Sequence, residues 1–459
     1  MNLANTDYSK GSVGRNILAQ AAPLTVAQLV QLLYNIVDRI YIGHLPGADS
    51  TALTGIGLVF PLVTLTMAFT NLLGAGGTPL FSIARGAKEN DLAEWILGQA
   101  AFLLTVAGLI IGGGFMIFRR PLMYLFGASD ASYPYADAYL RIYLLGTPFA
   151  MLSTGLNGYI NAQGFPRTGM LTTVLGAVLN LVLDPLFIFV FDMGVGGAAL
   201  ATVISQAISC LWVVRFLTEK QAGLTIRRRC LRFDFPIARA IMRLGVAGFI
   251  MQGTNSLVQI SCNTMLSAYG GDLYVGLMTV INSVRELLSM PVHGITNGAQ
   301  PVMGFNYGAE KYDRVKQGIR FTALACAAYT GVTWLMVVLA PGAFLRMFSS
   351  DPQLLAIGDS ALRTYFFGFI FMALQIAGQS TFQALGCAKK AITFALLRKA
   401  VIVVPLTYLL PGMGLGVWGV FLAEPVSNVL GGCASFTTMI FTVYRRLGKR
   451  PIATSARVR

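Results

Sequence analysis

Charge is what this sequence lacks. Only 12% of its 459 residues are Asp, Glu, Lys or Arg, against about 25% in an ordinary soluble domain. Acids are scarcest, with 19 Asp plus Glu, and His44 and His293 are the only two histidines. So little titratable chemistry leaves few ways to build an enzyme. There is no GxxxxGK[ST] phosphate loop, no HExxH helix and no paired metal motif. No polar segment is long enough to house an ATP motor. The six cysteines, Cys210, Cys230, Cys262, Cys326, Cys387 and Cys433, form no CxxC pair, and most fall in apolar runs. That excludes a disulfide framework or thiolate metal site and leaves small hydrophobes. The chain is expected to be no enzyme and to need no cofactor.

What the sequence has is apolar surface. Hydrophobic residues make up 55%, and the mean hydropathy is +0.66. Apolar stretches of span length alternate with short polar links. Any one stretch could be a buried core helix, but no soluble core could hide a dozen. Twelve spans are predicted near 16–43, 52–80, 95–118, 135–158, 168–191, 195–218, 241–266, 274–303, 318–341, 359–383, 391–410 and 415–443. Residues 1–15 are polar and the first apolar segment is too long and polar for a cleaved signal, so it is expected to remain as the first span.

The formal net charge of +15 suggests nucleic acid at first sight, but the basic residues sit in the links. The densest cluster, Arg227, Arg228, Arg229 and Arg232, lies in the longest link. This is topology signal. Assigning alternate links to one side, starting with the N-terminus, puts there all of the 34 Lys plus Arg except Arg39, Arg119, Arg120, Arg141, Arg285, Arg346 and Arg363. Both termini are therefore expected in the cytoplasm, with the chain multi-pass in the cell membrane, contacting lipid and no nucleic acid, and working as a monomer.

An internal repeat gives the organisation. At a shift of 222 residues, Gly76, Pro79, Gly86, Ala87 and Asp91 fall on Gly298, Pro301, Gly308, Ala309 and Asp313. Phe126, Leu140, Arg141, Tyr143 and Gly146 fall on Phe348, Leu362, Arg363, Tyr365 and Gly368. Further on, Pro185, Met193, Gly194 and Gly196 match Pro405, Met413, Gly414 and Gly416 at a shift of 220. Six spans per half preserve orientation, so the expected fold is an all-α membrane protein. Its twelve helices would form two six-helix bundles about a pseudo-two-fold axis along the membrane normal. The division is an N-lobe at 1–220, a basic linker at 221–240, a C-lobe at 241–445 and a basic tail at 446–459. Two bundles that rock against each other move a solute more naturally than they catalyse a reaction.

Polar residues inside spans are costly, about 2.5–3.5 kcal/mol for an ionised one at the centre, and so are candidate sites. Asn180 and Asp184, in LNLVLDPLFIF, are four apart and share a helix face. Pro185 frees a backbone carbonyl one turn back. An amide oxygen, a carboxylate and a loosened carbonyl suit a hard cation, and Thr202 adds a hydroxyl. Asp38, late in the first span, reads either as part of this site or as an interfacial acid beside Arg39. Arg285 and Glu286 sit mid-span and point about 100° apart. They read either as substrate ligands or as partners of neighbouring helices. Met290 and other methionines could line an adaptable cavity, although packing in lipid or core is the plainer reading of any one. His293, beside Pro291, reads as structural.

The block TNGAQPVMGFNYGAEKYDRV (296–315) and its counterpart NLLGAGGTPLFSIARGAKENDL (71–92) resemble the multidrug and toxic compound extrusion (MATE) family. YNIVDRIYIGHL and GYINAQGFPRTGM (158–170) are similar too, and the likeness covers nearly the whole chain. It implies export of organic, often cationic, small molecules against inward H⁺ or Na⁺. In the branch with an acid pair in the N-lobe, Asp38, Asn180, Asp184 and Thr202 match the coupling site residue by residue. Tyr139 and Asn157 match further N-lobe polar positions. Where some members carry a C-lobe glutamate, this chain reads IMQGTN, with Gln252 and Asn255, so the C-lobe ion site is expected to be absent. The matching C-lobe positions Ile260, Ile402 and Leu406 carry no acid. The coupling ion stays open, since one site could hold a proton or Na⁺. A lipid-precursor flippase on the same bundle plan is the alternative, disfavoured because basic residues within spans are few.

Overall fold

The computed structural model describes residues 6–43, 57–126, 128–130, 132–348 and 351–449. For Asn35, residues 38–40, Ile42, Gly43, Lys220 and Asp272 it describes the backbone only. The described chain is helical, with no strand among the described residues. In chain order the helices are α1 (Val13–Gly43), α2 (Phe60–Gly86), α3 (Asn90–Leu125), α4 (Tyr133–Leu145), α5 (Thr147–Ala162), α6 (Pro166–Val190) and α7 (Gly194–Thr218). Then follow α8 (Phe235–Gly270), α9 (Asp272–Gly308), α10 (Tyr312–Leu339), α11 (Pro341–Arg346), α12 (Pro352–Phe366), α13 (Phe369–Ala384), α14 (Ala388–Leu415) and α15 (Val417–Tyr444). Helix closes every backbone hydrogen bond within its own segment, which is why apolar runs in lipid take this form.

Among the described residues, eight helices are long and apolar enough to cross a membrane, or nine if α12 and α13, bent by 42°, form one span. The other predicted spans fall on α4–α5, α8 and α9, and for α8 and α9 the reason is visible. α8 carries Gln252, Asn255, Ser256, Gln259 and Asn263 at helical spacing along one face, all exposed or half-buried. α9 repeats this with Thr279, Asn282, Ser283, Glu286, His293 and Asn297. At about 100° per residue these fall within a single narrow stripe. Acyl chains would not solvate such a stripe. The low apolarity of α8 and α9 therefore marks helices with one wet face.

The chain divides into two compact units. The first comprises residues 1–7 and Val26–Gly245, the second Tyr8–Thr25 and Val246–Arg457. These bounds differ from the lobes drawn on hydropathy because α1 and α8 each change unit part-way. The start of α1 groups with the second unit through polar clasps and close packing. Arg314 donates to the carbonyls of Tyr8 (3.0 Å), Lys10 (3.1 Å) and Gly11 (2.9 Å), and Asn306 to that of Tyr8 (3.1 Å). A Cβ on Gly298 would stand 2.8 Å from the Ala21 nitrogen. Within the first unit a Cβ on Gly74 would come 2.6 Å from the Gly155 Cα, the small-residue approach expected of packing in lipid.

The repeat is written in the backbone. Lys88 and Glu310, 222 apart, are both left-handed, at φ 62° and 58°. The next residues, Glu89 and Lys311, share φ/ψ of −83°/67° and −82°/65° and open α3 and α10. α5 and α13 end at Ala162 and Ala384, and Gly164 and Gly386 follow with φ 93° and 71°. Only glycine takes that turn cheaply. The same register survives where the sequence match slipped to 220. Asp192 and Gly194 (φ 50° and 54°) correspond to Gly414 and Gly416 (φ 93° and 51°), again 222 apart. The slip is local to the spans between. α6 widens once, over Leu186–Val190, but α14 widens twice, over Leu397–Val403 and Pro411–Leu415. Each wide turn offsets the side chains without moving the ends.

Candidate functional site

α6 and α7 bring three of the predicted site residues together. Asn180 and Asp184 lie on one face of α6 and are 2% and 1% exposed; Thr202, on α7, is 6% exposed. The helices can approach because α7 opens with GVGGAALA. A Cβ on Gly197 would sit 2.7 Å from the carbonyl carbon and oxygen of Phe187. Directly after Asp184, Pro185 ends the regular helix and the wide turn begins. The carboxylate thus sits at the point where α6 changes pitch.

The polar atoms form a short chain. Asn180 Nδ2 donates to Thr202 Oγ1 at 3.2 Å, and Thr202 Oγ1 donates to the Ala198 carbonyl at 3.0 Å. In this orientation the amide oxygen faces Asp184 Oδ2 at 2.7 Å and the amide nitrogen faces the Thr202 N–H at 3.1 Å, acceptor against acceptor and donor against donor. Turning the amide over satisfies both ends: Nδ2 donates to Asp184 Oδ2 at 2.7 Å, and Oδ1 accepts from Thr202 N at 3.1 Å and Thr202 Oγ1 at 3.2 Å. That orientation suits an ionised carboxylate, with the buried amide as its donor.

The remaining N-lobe candidates divide. Asp38 is on α1, but its side chain lies outside the described residues. Tyr139 is buried at 9% and stacks on Tyr143, with ring centroids 5.8 Å apart, in the apolar cluster with Leu62, Ile188 and Ala198. Asn157 ties α5 to α6 by donating to the Gly169 carbonyl at 3.1 Å. The basic linker cluster is held by acids at the start of α3: Arg227 pairs with Glu94 at 2.7 Å and Arg229 with Asp91 at 2.6 Å. The Asp91 carboxylate raises the Arg229 guanidinium above its ordinary range.

The second unit holds a polar cluster that sequence reasoning missed. Glu424 of α15 receives Lys399 Nζ at 2.8 and 3.0 Å on its two oxygens. Arg398 Nη1 approaches it at 3.1 Å and Arg285 Nη1 at 3.7 Å. Arg398 Nη1 also donates to Asn428 Oδ1 at 2.9 Å. Lys399 and Glu424 are 4% and 5% exposed. Two expectations are corrected by this. Arg398 and Lys399 lie inside α14 and not in a cytoplasmic link, so basic residues within spans are not few. Thr202 does have an acidic counterpart, since 222 residues on from it stands Glu424. Lys399 meets Glu424 across α14 and α15 as Asn180 meets Thr202 across α6 and α7. The signal was present as an acid followed by proline, Glu424–Pro425, which repeats Asp184–Pro185.

The C-lobe candidates fall around this cluster. Arg285 has the helix-to-helix partner that one reading of it required, while Glu286 is exposed on the wet stripe of α9. Met290 is buried at 8%. Gln252 and Asn255 lie on the polar face of α8, half-buried and exposed.

Comparison with known proteins supplies the family. The MatE family profile matches residues 23–186 and again 249–409, once per half. The multidrug export protein MepA of Staphylococcus haemolyticus (strain JCSC1435) is 26% identical over 427 residues, 92% of this chain and 93% of its own. MepA of Staphylococcus aureus (strain MSSA476) is 23% identical over 422 residues, 91% and 92% of the two chains. A solved structure described as an outward-facing multidrug resistance MATE family transporter of the MOP superfamily superposes with a TM-score of 0.90. It is 23% identical and covers 96% of this chain and 100% of its own. A MOP superfamily transporter from Pyrococcus furiosus Vc1, described as having a binding pocket of reverse polarity, gives 0.89 at 23% identity, covering 97% and 100%. The chain belongs to the MatE family, that of the MATE transporters, and is a multi-pass membrane transporter and not an enzyme.

Proposed function

We propose that this protein is a secondary active multidrug efflux antiporter. It exports small organic compounds in exchange for H⁺ or Na⁺ by alternating access of two lobes. Its twelve spans lie in the cell membrane with both termini cytoplasmic, and it works as a monomer with no bound cofactor. The observation that carries the reading is the buried Asp184–Asn180–Thr202 chain at the proline break of α6. It holds a carboxylate, its amide donor and a hydroxyl together away from solvent, the donor set for loading and unloading a proton or a hard cation. Asp38 completes the proposed site. If Na⁺ is the ion, the oxygens of Asp38, Asp184, Asn180 and Thr202 are its ligands, hard donors suited to a hard cation. The relatives' description as multidrug export proteins points the same way.

The test is dye efflux from cells and reconstituted vesicles with a pH gradient or a Na⁺ gradient imposed alone. Efflux driven by one gradient and lost in Asp184→Asn supports the reading and names the ion. Efflux indifferent to both gradients ends it. The cluster on Glu424 favours a second reading, a flippase for lipid-linked anionic precursors. That reading requires cell-wall or polysaccharide synthesis to fail when the protein is depleted.

A further inference from the structure

We infer that the second unit carries a binding subsite for the anionic group of an organic substrate, a carboxylate or phosphate, with Arg285 as its anchor. The inference rests on the transporter reading above and assigns the polarity of one part of its substrate.

The argument begins with charge. Among the described residues, three cationic side chains, Arg285, Arg398 and Lys399, share the single carboxylate of Glu424. Glu424 accounts for one of them, and Glu286, the neighbour of Arg285 on α9, offsets a second by charge. A buried structural ion pair balances its charges, because each uncompensated charge in a medium of low polarity costs several kcal/mol. Here the excess is positive, and an incoming anion would offset it.

Geometry says which cation meets the ligand. Lys399 and Arg398 are spent on Glu424 and Asn428, with side chains only 5% and 13% exposed. Arg285 is held loosely, at 3.7 Å, and its side chain is 32% exposed. Its Nε is buried with no hydrogen-bond partner. An arginine side chain a third exposed at mid-span faces the bundle interior or a water-filled cavity and not acyl chains. It lies on α9 beside the polar stripe of Asn282, Glu286 and His293. A planar fork with free N–H donors is the side chain best shaped for a carboxylate or phosphate. The wide turn at Leu397–Val403 contains both Arg398 and Lys399, and such turns recur at functional sites. The cluster lies where α14 meets α15, as the Asp184 group lies where α6 meets α7.

The test uses the full chain in vesicles and two fluorescent probes, carboxyfluorescein as anion and ethidium as cation. Binding is read by anisotropy and export separately. The wild type is expected to bind carboxyfluorescein saturably. In Arg285→Gln the ratio of carboxyfluorescein to ethidium affinity should fall about tenfold or more, the usual size of a lost charged hydrogen bond. Arg285→Lys should fall between. Thermal unfolding and gel filtration check that each variant is folded. Competition by a polyprenyl diphosphate, set against inorganic diphosphate, separates a lipid-borne anion from a free one, and either result supports the subsite. No saturable carboxyfluorescein binding by the wild type, or an unchanged ratio in folded Arg285→Gln, overturns it. Failure of the transporter reading looks different: Arg285-dependent binding would persist with no export of either dye.

Discussion

Replacing Asp184 by Asn and by Ala should separate its chemical role from its structural one. Asn is nearly isosteric and keeps a partner for Asn180, since the Nδ2 that lies 2.7 Å from Asp184 Oδ2 can donate to an amide oxygen there. It is locked in the neutral form. The Asp184→Asn protein should therefore fold and reach the membrane with a stability close to wild type. Ala leaves the amide of Asn180, 2% exposed, with an unmet group, at a cost of about 1–3 kcal/mol. Coupling responds differently. A pH step of two units is worth about 2.7 kcal/mol per exchanged proton. One proton carried by Asp184 would thus sustain a roughly hundredfold substrate gradient, and both variants should sustain none. A Na⁺-coupled site gives the same loss under a Na⁺ step. The assay is dye accumulation against an imposed gradient, with thermal unfolding measured on the same preparations. Gradient-driven efflux in Asp184→Asn at the wild-type level would refute the reasoning. So would equal destabilisation by Asn and Ala, because the negative charge of the carboxylate would then be what holds the fold.

The cluster on Glu424 should respond asymmetrically. Glu424→Gln strips Lys399, Arg398 and Arg285 of the carboxylate they share and should destabilise by about 3–5 kcal/mol, clearly more than Lys399→Met, which leaves two arginines in place; chemical denaturation of both variants gives the order. Gly197→Val drives a side chain into the Phe187 carbonyl and should cost about 1–3 kcal/mol or more, together with a drop in coupled efflux as α7 moves off the break in α6. Arg314→Ala removes the donor to the carbonyls of Tyr8, Lys10 and Gly11, so tryptic cleavage after Lys10, followed by mass spectrometry, should speed up; an unchanged rate would show that the clasp does not hold the segment.

The architecture was largely legible because membranes leave few options. Apolar runs of span length must be helices, and the 222-residue register rests on turn residues with fixed backbone demands. Gly164 and Gly386 are glycines because both turns are left-handed. Lys88 and Glu310 share a left-handed turn with no residue type in common, so the repeat sets them opposite each other but their shared conformation is invisible without coordinates. Hydropathy could not show where the units divide. It measures a helix as a whole, whereas α1 and α8 change unit part-way along, at contacts such as that of Gly298 with Ala21.

The candidate site was legible on one side only, and the reason is the pitch of the helix. Asn180 and Asp184 lie four apart in a regular stretch of α6, where spacing converts directly into a shared face. In α14 the wide turn at Leu397–Val403 breaks that conversion. Thr202 finds Glu424 at a shift of 222, but Asn180 finds Lys399 at 219. Any fixed shift that recovers one misses the other, and comparison at 222 lands on Ile402 and reports nothing. Lys399 was also hidden by proximity to Lys389 and Lys390, which do sit at the start of α14 as a topology signal. What distinguishes it is depth: it follows more than two turns of helix and precedes the apolar run AVIVV. A lysine at that depth needs a carboxylate, and Glu424, the acid inside α15, was the residue to look for. The two halves thus keep one backbone plan and fill its equivalent points differently, a neutral amide and hydroxyl at Asn180 and Thr202 in the first, an ion pair at Lys399 and Glu424 in the second.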